Sequence, residues 1–319
     1  MNLALRRRAL ETSLLATVLL LGGCGDDSTR SIDAGAQPDT WSDVTPAEPF
    51  DAGTTLDTAD AADAADPLDP GLVDAGFGGA PPALTANVTL HIVGDSTAAI
   101  FPATDPRVGW GAVLGSYFGP GVTVHDAALS GRSSKSFIDE GHWASVKTTV
   151  KPGDYVFIEF GHNDEKYGDA ARYTIPNTSY RYYLKTYIAE TRVLGGFAVL
   201  LTSISRRQFS GTTVPDSHAA YTAAVLAVGA ETGTPVIDLQ AKTAAWLTAL
   251  GPTGSTAYFA PGDGTHLNAQ GAMVVAGMVV QGLRDLGFPI AERISAPLDG
   301  GAVVDAQLAT DGGPTENPG

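Results

Sequence analysis

A serine placed where a buried strand ends is the first residue in this chain that could do chemistry. Leu90-His91-Ile92-Val93 runs into Gly94-Asp95-Ser96-Thr97. The Ser96 hydroxyl becomes a nucleophile only if a base takes its proton, and six histidines are available: His91, His125, His142, His162, His218 and His266. His91 and His125 fall inside predicted strands, and His142 beside Trp143 has no evident acidic partner. His266 differs, because Asp263-Gly264-Thr265-His266 sets an aspartate three residues before it in a glycine-containing loop. At that spacing Asp263 can hold one ring nitrogen while the other faces a serine. Acyl transfer also needs donors where negative charge develops. Candidates are the N–H of Ser96 itself, the N–H of Gly131, and the side-chain amide of Asn163 in Gly161-His162-Asn163-Asp164.

These residues can meet only if the elements between them bring them to one edge. Short apolar runs alternate with helical stretches from about Leu84. Strands are predicted over Val88–Gly94, Val122–Asp126, Tyr155–Gly161, Phe197–Ile204 and Val236–Leu239. Helices are predicted over Trp110–Phe118, Tyr180–Leu194, Ser217–Thr232, Ala241–Leu250 and Asn268–Leu286. The last is capped by Asn268 and stopped by Gly287, with Pro289 beyond. Buried strands alternating with helices imply a parallel sheet covered on both faces, with functional loops beyond the carboxyl ends of the strands. Ser96, Gly131 and Asn163 each follow a predicted strand.

The charge of −16 over 319 residues is unevenly spread. Residues 25–82 hold thirteen acids and one arginine, whereas 83–290 hold sixteen acids and fourteen bases. The folded part is therefore nearly neutral, and no basic patch suggests nucleic acid. Segment 25–83 is an Ala/Asp/Gly/Pro-rich tether, in which Asp57, Asp60, Asp63 and Asp66 recur every third residue. The Ala-Ala pairs between them supply no calcium ligands, and the composition cannot bury a core. The stretch 291–319 is similar and reads as a loose tail.

Cys24 is the only cysteine, which excludes an internal disulfide and a cysteine-based zinc site. It follows the basic Arg6-Arg7-Arg8, an apolar Leu14-to-Leu21 stretch of signal-peptide length, and Leu21-Gly22-Gly23. Residues 1–24 look like the signal peptide and lipobox of a bacterial lipoprotein. That resemblance implies lipidation of Cys24 and an exported, membrane-anchored protein on the periplasmic face or cell surface.

A second resemblance covers roughly residues 88–287. The blocks Gly94-Asp95-Ser96, Gly131, Gly161-His162-Asn163-Asp164 and Asp263-Gly264-Thr265-His266 resemble, in order, the four blocks of the SGNH (GDSL-type) hydrolases. Gly94-Asp95-Ser96-Thr97, Gly109-Trp110-Gly111, Gly131-Arg132-Ser133-Ser134-Lys135-Ser136-Phe137 and Arg206-Arg207-Gln208-Phe209 are similar to the rhamnogalacturonan acetylesterase-like branch. The resemblance implies a three-layer α/β/α sandwich with a five-stranded parallel, flavodoxin-like sheet over 84–290. It also implies an esterase without metal or cofactor, with Ser96 as nucleophile, His266 as base and Asp263 as its orienter. Ser96, Gly131 and Asn163 would form the oxyanion hole. The implied reaction removes O-acetyl groups from pectic polysaccharide, with no obligate protein partner evident. A broader short-chain esterase and a non-catalytic carbohydrate-binding lipoprotein are the alternatives. Arg206, Arg207, Arg132 and Lys135 are candidate partners for uronate carboxylates. Asp126 departs from the pattern, since the family usually has asparagine five residues before the glycine of the second block. The roles of Asp126 and His218 are not readable from sequence.

Overall fold

The computed structural model describes residues 80–296. The chain divides into units 1–62 and 63–319, and all described residues belong to the second. Cys24, the leader before it, the acidic segment as far as residue 79 and the tail beyond residue 296 lie outside the described residues.

Five parallel strands form one sheet: β1 (Val88–Gly94), β2 (Val122–Asp126), β3 (Tyr155–Glu159), β4 (Phe197–Leu201) and β5 (Val236–Ile237), in the order β2-β1-β3-β4-β5. Side chains alternate between faces along each strand, so a run apolar throughout must be covered on both sides. Leu90, Ile92, Phe157, Val199 and Leu201 form one core with buried residues of α1 (Trp110–Leu114), α6 (Leu239–Gly254) and α7 (Ala269–Asp285). Val93, Val156, Ile158 and Leu200 form the other with those of α2 (Ser134–Asp139), α3 (His142–Lys147), α4 (Arg181–Val193) and α5 (Ala219–Thr232). This is the expected α/β/α sandwich.

Connections from β1 diverge, first to β2 on one side and then, through β3, to the other. That reversal leaves a crevice beyond the carboxyl ends of β1 and β3, the usual ligand position in such sheets. The register puts Ile92 beside Asp126 and Gly94 beside Glu159, so the loops after β1, β2 and β3 open at one level. Ser96, Gly131 and Asn163 stand on those loops.

The short helix α2 was not expected. Six residues are too few to display a helical period, and α2 is started by a capping box made only of serines. Ser133 accepts from Ser136 N, and Ser133 N donates to the Ser136 hydroxyl. The usual glutamate or glutamine signal is missing. At the other boundaries local chemistry intervenes. Strand β5 stops at Ile237 because the Asp238 side chain accepts from Ala241 N and starts α6. Helix α7 keeps its predicted cap: Asn268 Oδ1 accepts from Gly271 N at 3.0 Å. After Gly287, Phe288 and Ile290 are buried, and Ile294 pairs with Phe118.

Candidate active site

Local hydrogen bonding presents the serine. The Asp95 Oδ1 atom accepts from Thr97 N at 2.9 Å and from the Thr97 hydroxyl at 2.8 Å, closing a tight turn directly after β1. The N–H groups of Ala98 and Ala99 both reach the Asp95 carbonyl. A Cβ added at Gly109 would lie 2.2 Å from the Ala98 carbonyl carbon, so glycine there lets the start of α1 close against this turn. Trp110 N then donates to the Thr97 carbonyl at 3.0 Å.

The loop before α7 brings the His266 ring to the serine. Asp263 Oδ1 accepts from the backbone N–H groups of Thr265 (2.7 Å) and His266 (2.9 Å), which folds Asp263–His266 into a hairpin-tight turn. Its Oδ2 lies 2.7 Å from His266 Nδ1, and His266 Nε2 lies 2.9 Å from Ser96 Oγ. A carboxylate can only accept, so Nδ1 carries the proton of the neutral ring and the Nε2 lone pair faces the serine hydroxyl. Partial burial alone would raise the Asp263 pKa; the bonds from the His266 ring and the two backbone N–H groups outweigh it and hold the carboxyl far below its usual range. An ionised, hydrogen-bonded aspartate fixes the ring and stabilises the imidazolium that forms when it takes a proton.

On the opposite side, Leu129 N donates to the Gly94 carbonyl at 3.0 Å and ties the loop after β2 to the serine loop. Gly131 has φ 77°, a left-handed conformation that leaves its Cα free of a side chain toward the crevice. Asn163 is buried, and its Nδ2 donates one hydrogen to the Arg132 carbonyl at 3.1 Å, one residue beyond Gly131. Its second hydrogen has no protein acceptor assigned.

Beneath the serine lie charges that the strand pattern alone gave no reason to expect. Glu159 ends β3 fully buried; its Oε2 accepts from Trp110 Nε1 at 2.9 Å and its Oε1 from Ile204 N at 3.3 Å. Both oxygens also approach the Thr97 hydroxyl, at 3.1 and 3.2 Å. That hydroxyl has one hydrogen, and the shorter contact to Asp95 takes it. With that hydrogen spent, Thr97 Oγ1 can bond the Glu159 carboxyl only by accepting from it, which requires a protonated Glu159. Burial first, and the negative charge of Asp95 second, push Glu159 up to about 8. The two acids thus separate into a neutral Glu159 and an ionised Asp95. Burial alone would raise Asp95, but His162 and the Thr97 donors bring it down to about 2. The His162 ring, with Nδ1 3.5 Å from Asp95 Oδ2, is kept neutral mainly by burial and then by His218, which lower it to about 4. Asp126 Oδ1 accepts from Ala128 N at 3.0 Å, while its Oδ2 is buried without a partner. Burial pushes this carboxyl up to about 7, so it is a neutral stand-in for the expected asparagine below that pH and about half ionised near neutrality.

His218 and Arg206 belong to one network. His218 Nδ1 donates to Glu165 Oε2 at 2.7 Å, and the Arg206 Nη2 atom donates to Glu165 Oε1 at 2.7 Å. Arg206 Nη1 donates to the Thr265 hydroxyl, which links the loop after β3 to the turn holding Asp263 and His266. Arg207 donates to Ser255 Oγ and the Pro252 carbonyl; Arg132 to Glu140 and the Ser130 carbonyl; and Lys135 to Asp139 and the Ala171 carbonyl. Each of the four candidate cations thus has protein acceptors, and Arg206 lies between the two loops that border the serine. Two residues not singled out in the sequence also lie close to the site residues: Phe101, edge-on to the His266 ring at 6.4 Å, and Arg172, whose Nη1 lies 3.9 Å from the point a Cβ on Gly131 would occupy. Phe101 carried a weak signal, as an aromatic five residues beyond the serine.

Residues 92–274 match the model of the GDSL-like Lipase/Acylhydrolase family. The chain is 34% identical over 209 residues to the Bacillus subtilis protein named probable rhamnogalacturonan acetylesterase YesY, covering 64% of this chain and 96% of that one. Its identity to rhamnogalacturonan acetylesterase RhgT of the same organism is also 34%, over 222 residues covering 65% and 94%. The crystal structure of B. subtilis YxiM superposes with a TM-score of 0.56 at 25% identity, over 63% of this chain and 57% of that one. With a family model spanning both the serine and histidine loops, and relatives covered almost end to end, the chain belongs to the GDSL-like lipase/acylhydrolase family of carboxylic ester hydrolases.

Proposed function

We propose that this protein removes O-acetyl groups from a pectic polysaccharide of the rhamnogalacturonan type, through an acetyl-enzyme formed on Ser96. The catalytic roles are carried by the continuous line from Asp263 Oδ2 to His266 Nδ1 (2.7 Å) and from His266 Nε2 to Ser96 Oγ (2.9 Å). Ser96 Oγ attacks the acetyl carbonyl carbon as His266 Nε2 takes its proton. The carbonyl oxygen becomes an oxyanion, met by the N–H groups of Ser96 and Gly131 and by the Asn163 amide. Collapse breaks the bond to the sugar oxygen, which leaves with the proton from His266. Water, deprotonated by the same nitrogen, then attacks the acetyl-Ser96 carbonyl; the bond to Ser96 Oγ breaks, Oγ takes the proton back from His266 Nε2, and acetate is released.

The substrate class is supported by the two rhamnogalacturonan acetylesterase relatives, each covered over nine-tenths of its length. Acetate release from acetylated rhamnogalacturonan, acetylated xylan and a small aryl acetate tests it. The rhamnogalacturonan should give the highest kcat/KM of the polymers. Equal rates on both polymers would instead identify a broad short-chain esterase. The Leu21-Gly22-Gly23-Cys24 segment supports export and anchoring by a lipid on Cys24. Cys24→Ser should move the protein from the membrane to the soluble fraction in cells, and an unchanged distribution would exclude the anchor.

A further inference from the structure

The loop that follows the Asn163 amide has features that the acyl-transfer machinery does not use. It leaves the site at Asp164 and returns at Thr174, whose N–H donates to the Asp164 carbonyl at 3.0 Å. The Asp164 side chain ties the loop's return to the start of α2, accepting from the Thr174 hydroxyl at 2.9 Å and from Ser134 N. On the loop, Tyr167 is 88% exposed, the most exposed large apolar side chain among the described residues. Its ring meets Tyr173 edge-on at 5.3 Å and 86°. Surface tyrosines normally shed apolar area into the protein; two in contact on an exposed loop offer a face for a sugar ring.

Between them in sequence, Arg172 is oriented rather than free. Its Nε donates to Asp169 Oδ2 at 2.6 Å, and Nη2 reaches the same oxygen, while about a third of the side chain stays exposed. Nη1 has no acceptor assigned. It lies 3.9 Å from the point a Cβ on Gly131 would occupy, the only atom near that point. An oriented guanidinium edge thus stands beside Gly131, on the loop that also carries the Tyr167–Tyr173 ring pair. The four cations considered from the sequence all have acceptors already.

We infer that Arg172, with Tyr167 and Tyr173, forms a subsite for the acidic sugar of the substrate, with Nη1 hydrogen-bonded to its carboxylate. This rests on the pectic reading above and names the residues that would give it selectivity. A guanidinium–carboxylate bond contributes where the charge is present and nothing where it is absent. The subsite therefore acts on the ratio of kcat/KM for acidic polymer to kcat/KM for an aryl acetate.

The test measures that ratio for wild type, Arg172→Gln and Arg172→Lys on acetylated rhamnogalacturonan, before and after methyl esterification of its uronates. Because each variant is normalised to its own aryl acetate activity, misfolded protein does not affect the result. In Arg172→Gln the ratio should fall about 10- to 100-fold, and Arg172→Lys should recover part of it. Methyl esterification should lower the wild-type ratio to the Arg172→Gln level and leave the variant where it is. If wild type deacetylates the acidic polymer and Arg172→Gln keeps the same ratio, the subsite is overturned alone. If wild type releases no acetate from that polymer, the pectic reading is overturned and the subsite with it.

Discussion

Asp126→Asn should raise the stability of the folded domain above pH 7 and leave it unchanged near pH 4. Asp126 Oδ2 is buried without a partner, and Oδ1 has only Ala128 N at 3.0 Å. Burial pushes the folded-state pKa up to about 7 from an ordinary value of 3.8. A folded pKa above the unfolded one means that the folded chain binds the extra proton. The stabilising contribution is then fully present below about pH 4 and is lost as pH rises through about 7. Each pH unit in that window costs at most about 1.4 kcal/mol, or roughly 4 kcal/mol in all. The residue is only partly buried, so screening reduces this to about 2–3 kcal/mol. Asparagine has the shape of the protonated acid and never ionises, so it escapes the loss. At about 2–4 °C per kcal/mol for a domain of this size, Tm of Asp126→Asn should exceed wild type by roughly 5–10 °C at pH 8. Thermal unfolding of both proteins from pH 4 to pH 9 checks this. Equal differences at pH 4 and pH 8, or a lower Tm for the variant at pH 8, would refute the reasoning.

Glu159→Gln should likewise be more stable than wild type at pH 8 but not at pH 4.5, since the folded pKa of about 8 lies above the unfolded one and stability falls as pH rises through it. Glu159→Ala strands the Trp110 and Ile204 donors and leaves a cavity, so it should lose about 3–5 kcal/mol in chemical denaturation at either pH. Asp263→Asn removes the acceptor that sets the His266 tautomer; kcat on an aryl acetate should fall roughly 10³- to 10⁴-fold with an unchanged circular dichroism spectrum. Arg206→Gln frees Thr265 from Glu165 and should lower kcat about 10- to 100-fold, read in steady-state kinetics, with a smaller change in KM on the aryl acetate.

Much of the fold was legible because its central strands β1, β3 and β4 are buried on both faces. Val88–Gly94 and Val122–Asp126 have the boundaries expected from their apolar and β-branched runs. The helix from Ala269 is long, and both of its ends carry cap chemistry. What escaped was short or unusually capped: α2 has serines where a glutamate would have signalled its start. For the site, Ser96, Asp263 and His266 could be brought together from sequence because their motifs are local and the topology supplies the rest. The bonds of Glu159, Glu165 and Arg206 could not. Glu159 sits within Phe157-Ile158-Glu159-Phe160, where nothing local reveals that it meets Thr97, Trp110 and Ile204. Arg206 reads as a surface cation until Glu165, from a loop 41 residues earlier, is brought to it. Such pairings depend on which loops share the crevice, and that is set by strand order.

Active-site labelling by a fluorophosphonate tests the central claim most directly. Peptide mapping by mass spectrometry should find a single adduct on Ser96. Ser96→Ala should take up no label and lose several orders of magnitude in acetate release. Labelling at another residue, or a Ser96→Ala protein hydrolysing an aryl acetate at the wild-type rate, would contradict it.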